Sequence, residues 1–129
     1  MLNEKEKREV LEGKKGLMAI VNKYKAICSL NKLIKKFNKV LKRCPDRELN
    51  MLDGNDSLIS GDLVLKQKTL NLEVSALFST IFKDEHLGVK NQFELVMAKY
   101  DVNTYKNLRK AFEAQKDFLV ELRNEIKSL

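Results

Sequence analysis

One proline and five glycines are all that punctuate these 129 residues, and tryptophan is absent. A β-sandwich or barrel needs turn signals about every ten residues, so this scarcity excludes a turn-rich β fold and favours helices. The single histidine, His86, has no second imidazole with which to share a metal and sits in a polar stretch without a neighbouring nucleophile. Cys28 and Cys44 lack metal-ligand spacing and are read as reduced, partly buried thiols. No apolar run approaches the ~18 residues a membrane span needs. The opening "MLNEKEKREV" is too charged for a signal peptide, so a cytoplasmic chain without a membrane partner is expected.

Chemistry-bearing motifs are equally scarce. The stretch "EGKKGL" lacks both P-loop spacing and a preceding strand. Asp84 and Glu85 adjoin, but without apolar surroundings they are read as surface residues. "DGND" places Asp53, Asn55 and Ser57 at alternate positions like a calcium loop. The pattern then fails, with Leu58 where glycine belongs and Val64 where a bidentate glutamate belongs. The expectation is a non-enzyme with no catalytic residue, metal or cofactor.

What is present is a foldable composition, 43% apolar against 33% charged, in a length that suits one helical domain over residues 1–129. The charge is the informative part. Residues 1–44 hold thirteen Lys/Arg and four Glu, whereas the mixed-charge remainder, 45–129, holds twelve basic and fourteen acidic residues. Between Gly13 and Cys44 ten basic residues occur without one acid. Such asymmetry points to a basic surface rather than to general solubility.

Asn3 and Glu6 form a capping-box pattern for a first helix, which "GKKG" weakens, so it ends near Glu12 or kinks there. Leu17, Ile20, Val21, Tyr24, Ile27 and Cys28 share one side of a helical wheel. Leu30, Leu33, Ile34, Phe37, Val40, Leu41 and Cys44 share another, rotated by roughly 150°. A break at "SLN" with Ser29 as cap accounts for the jump; the rival is one long helix whose halves touch different neighbours. Pro45 ends the run, "PDRELNML" suits a short helix, and "DGNDSLISG" reads as a loop.

Asp62 then caps a helix with the stripe Leu63, Leu70, Val74, Leu77, Phe78 and Ile81. A second stripe, Leu65, Leu72 and Ala76, implies packing on two faces. "KDEHLGVKN" breaks at Gly88, and a shorter helix carries Phe93, Val96, Met97 and Tyr100. The last helix spaces Tyr105, Leu108, Phe112, Gln115, Leu119, Leu122, Ile126 and Leu129 as a heptad seam. The fold class is therefore all-α, a compact bundle of four to five helices with a long C-terminal helix. Its seam lines the core or pairs two copies as a homodimer.

Two binding features remain. On the wheel of "NKLIKKFNKVLKRC", Lys32, Lys35, Lys36, Lys39, Lys42 and Arg43 fill an arc of about 120° opposite the apolar arc. With Lys14 and Lys15 they form a candidate face for an anionic partner. Nucleic acid held through its phosphates is the first reading. The second is an acidic protein surface, bound by a helical adaptor, chaperone or inhibitor of the kind phages and mobile elements encode. Tyr24 and Phe118 are candidate apolar anchors beside the charges. The other feature, "ELVMAKYDVNTYKNLRKAF", has the cadence of a helix-turn-helix, in which Asn103, Thr104, Lys106, Asn107 and Arg109 approach the bases. Whether the basic face is open, or is covered by the acidic segment 46–62, is left to the tertiary structure.

Overall fold

A computed structural model describes residues 1–11, 16–96 and 108–129, apart from the side chain of Leu17. The described chain contains five helices and no strand: α1 (Glu4–Val10), α2 (Leu17–Arg43), α3 (Gly54–Ile81), α4 (His86–Leu95) and α5 (Leu108–Lys127). The fold is the expected helical bundle. Its longest elements are α2 and α3, and α2 packs most extensively against α5.

The capping box forms as its residue types dictate. Asn3 accepts from the Glu6 N–H at 2.8 Å, and the Glu6 carboxylate accepts from the Asn3 N–H at 2.9 Å. Residues 12–15 lie outside the described residues. Gly16 begins α2 at φ 69°, a backbone region that glycine enters without penalty.

α2 is one helix of 27 residues, so the expected break at "SLN" is absent and Ser29 lies mid-helix. No proline or glycine interrupts it, and Ser or Asn in a helix interior costs only tenths of a kcal/mol. The phase jump has another cause. The core stripe runs without interruption from Ala26 through Leu30, Leu33, Ile34, Phe37, Val40 and Leu41 to Cys44, while Ile20 and Tyr24 of the earlier stripe face solvent.

Residues 45–53 are irregular rather than a short helix, and α3 starts eight residues before the expected Asp62 cap. The cap is Asp53, whose Oδ1 accepts from the N–H groups of Asn55 and Asp56 at 2.8 and 3.2 Å. The residues that imitate a calcium loop thus begin a helix. At that end of α3 Asp56 is buried. Its carboxylate accepts two bonds from Arg47, at 2.6 and 2.8 Å, and one from the Asn50 N–H at 2.9 Å.

The Arg47 hydrogen bonds, helped by the Asn50 N–H, lower the Asp56 carboxyl to about 2. A carboxyl whose acidity is strengthened by folding stabilises the fold above its unfolded value, about 3.9. That contribution disappears as pH falls from about 5 towards 2. Asp56→Asn is accordingly expected to melt below wild type at pH 7, with the two midpoints converging near pH 2. Melts followed by circular dichroism across that range check this, and a constant difference at every pH would contradict it.

Gly88 lies within α4, and the break falls earlier, at Phe82 to Glu85. A long-range contact made by α1 determines it. The Glu9 carboxylate accepts from the N–H groups of Asp84 and Glu85 at 2.5 and 3.1 Å, and Lys5 pairs with Glu85 at 2.9 Å. Val96 follows α4, while Met97 and Tyr100 of the expected stripe lie outside the described residues.

All five helices contribute to one buried cluster. At its centre Phe93 of α4 meets the rings of Phe37 (α2), Phe78 (α3) and Phe118 (α5) edge-on, with centroids 6.5, 5.9 and 5.6 Å away. The α5 seam Leu108, Phe112, Gln115, Leu119, Leu122 and Ile126 is buried inside the chain, and Tyr105 lies outside the described residues. Gln115, its polar member, donates from Nε2 to Asn71 Oδ1 of α3 at 3.0 Å.

Candidate binding face

The helical period of α2 decides where its cations go. With Leu33, Phe37, Val40 and Leu41 in the core, Lys32, Lys35, Lys36, Lys39, Lys42 and Arg43 stand on the opposite face, and all six are exposed. The acidic segment 46–62 does not cover them. Its Asp56 is held by Arg47, Asp53 caps α3, and Asp62 pairs with Lys66 at 3.2 Å. Of the six cations, Lys36 alone has an ion pair among the described residues, with Glu73 of α3 at 2.8 Å. Lys14 and Lys15 lie outside the described residues.

Between this face and α3 runs a groove of about 410 Å³. Lys36, Lys39 and Arg43 form its α2 rim, Lys66 and Glu73 stand on the α3 side, and Val40, Leu65 and Leu70 supply apolar lining. Leu65 also belongs to a ridge along the outside of α3. Leu58, Leu65 and Leu72 are 75%, 65% and 73% exposed. The second α3 stripe, expected to pack against a neighbour, therefore faces solvent, Ala76 included. The sequence signal for it was the seven-residue recurrence of leucine on the side opposite Leu63, Leu70 and Val74. What it lacked was any indication that α3 would be left bare there.

The other candidate residues separate from this face. Asn103, Thr104, Lys106 and Asn107 of the helix-turn-helix reading lie outside the described residues. Arg109 is part-buried. Its Nη1 donates to the carbonyls of Leu41 and Cys44 at 2.9 Å each, and its Nε donates to Glu113 at 3.1 Å. It thereby ties down the C-terminal end of α2, where the Leu41 carbonyl also accepts from the Cys44 N–H at 3.2 Å. Of the two candidate anchors, Tyr24 is 68% exposed, but Phe118 is in the core.

His86 is half-buried at the start of α4, its Nδ1 3.1 Å from the Lys83 carbonyl oxygen. Among the described residues no group of three His, Cys, Asp or Glu side chains is arranged to hold a metal. Cys28 and Cys44 are free thiols, and burial pushes the Cys44 thiol up from its ordinary value. No helix among the described residues is long and apolar enough to cross a membrane. Comparison with protein-family models, with curated proteins and with solved structures gives no match.

Proposed function

We propose that this is a non-enzymatic binding protein whose α2 face captures an acidic segment of a partner protein, in the manner of a small adaptor or inhibitor. The observation that carries the reading is the pairing of two surfaces. Five cations without an ion pair among the described residues, Lys32, Lys35, Lys39, Lys42 and Arg43, are exposed on α2, and two of them, Lys39 and Arg43, share a groove with Leu65 of an exposed apolar ridge. Cations raise the encounter rate with an acidic partner and select against basic ones. Apolar side chains next to them supply the desolvated anchors on which protein interfaces depend. A nucleic-acid backbone would use the cations and gain nothing from the leucines. The phosphate reading is thus the competing outcome of the test.

Anisotropy titrations check it, using a labelled glutamate-rich peptide, duplex DNA, single-stranded DNA and RNA at 50 to 200 mM salt. The expected result is tighter binding of the acidic peptide than of any nucleic acid at the upper salt concentration. Tighter binding of a nucleic acid, with the hundredfold or so loss over that range that about four phosphate contacts produce, would replace this reading with the phosphate one.

A further inference from the structure

We infer that the partner segment is an amphipathic helix. It lies along the outside of α3, beside the groove, with its apolar stripe on the Leu58, Leu65 and Leu72 ridge and its acidic flank against Lys39 and Arg43. This inference rests on the acidic-partner reading and specifies what shape is bound. The spacing of the ridge carries the choice of a helix. Leucines seven residues apart on α3 recur about every 10.5 Å, the distance at which a facing helix returns its own heptad positions. An extended peptide returns a side chain to one face about every 6.6 Å and falls out of step with the ridge after one contact. From Leu58 to Leu72 the ridge is about 21 Å long, or four turns of a partner helix.

Charge carries the choice of partner. Both acids on the α2 side of α3 are already taken, Glu73 by Lys36 at 2.8 Å and Asp62 by Lys66 at 3.2 Å. Lys39 and Arg43 remain on the near rim, and Lys68 is exposed on the far side of the ridge. The ridge is therefore flanked by positive charge on both sides, which acidic residues flanking a partner's apolar stripe would complement. A second copy fits poorly, because ridge-on-ridge packing about a two-fold axis sets each cationic rim against the other.

The test uses a labelled peptide of roughly 21 residues with leucine at heptad positions a and d and glutamate at e and g. Two companions are a scrambled peptide of identical composition and a version with lysine in place of glutamate. Wild type is expected to bind the patterned acidic peptide about tenfold more tightly than the scrambled one, and the lysine version not at all. Leu65→Gln with Leu72→Gln is expected to erase that preference while retaining binding of the scrambled peptide, with helix content and melting midpoint as in wild type.

Equal affinity of wild type for the patterned and scrambled acidic peptides would overturn the helix inference and leave the acidic-partner reading standing. Failure of both acidic peptides to bind would overturn that reading and the helix inference with it. A wild-type dimer that the double variant converts to monomer, seen by sedimentation equilibrium, would assign the ridge to a second copy and overturn the proposed occupant.

Discussion

Lys35→Glu, Lys39→Glu and Lys42→Glu in one chain are expected to leave the fold intact and weaken binding of a glutamate-rich peptide about a hundredfold. All three side chains are exposed on α2 and have no ion pair among the described residues, so their reversal breaks no contact on which folding depends. An exposed charge pair contributes about 0.2–1 kcal/mol. Reversal exchanges attraction for repulsion, and over three sites the change reaches about 3 kcal/mol, which is the hundredfold stated. Lys36 is deliberately spared, because a glutamate there would stand against Glu73, now 2.8 Å from the lysine nitrogen. The difference between variant and wild type should shrink at 0.5 M salt, where screening acts within a few ångströms. An unchanged affinity in a correctly folded variant would remove α2 from the binding face.

The largest effect on stability is expected from Phe93→Ala. Phe93 is 2% exposed and is the ring at which α2, α3 and α5 meet across α4. Its removal forfeits the burial of a phenyl ring and leaves a cavity bounded by aromatic side chains from three other helices. Substitutions of this kind cost about 3–5 kcal/mol. For a domain of this size that lowers the melting midpoint by about 10–20 °C. Denaturant titration gives the free energy and thermal melting the midpoint. A loss below about 1 kcal/mol would mean that the ring is not the centre of the packing. Leu65→Gln with Leu72→Gln provides the contrast, since exposed helix positions of that kind change stability little.

The two variants touch parts of the molecule that were unequally legible in the sequence. The α2 core stripe from Leu30 to Cys44 and the α5 seam from Leu108 to Ile126 could be read from period alone, because a helix in a bundle must bury one continuous apolar stripe. So could the orientation of the six α2 cations, which follows from the same rotation. The capping box at Asn3 and Glu6 was legible because all its partners lie within four residues.

Local rules misplaced the boundaries that distant residues decide. Asp53 and Asp62 are both competent caps, but Asp56 reaches Arg47 and Asn50 only if α3 starts at the first. The turn before α4 depends on Glu9, more than seventy residues away along the chain. Arg109 reaches the carbonyls of Leu41 and Cys44, more than sixty residues away, a contact no local pattern in the sequence signals.

The sequence by itself determined that this chain is helical, that its excess charge is concentrated before Pro45, and which face of each amphipathic stretch is apolar. These are properties of residue order and the helical repeat. Only the tertiary structure decided which apolar faces acquire neighbours. Leu70 and Leu72 are chemically identical and two residues apart, yet Leu70 is 5% exposed and Leu72 is 73% exposed. A helix with apolar residues on opposite sides can bury either, and the positions of α2 and α4 against α3 select the side that becomes core. The side left over stands next to Lys39 and Arg43 of α2, and the proposed binding face rests on that adjacency.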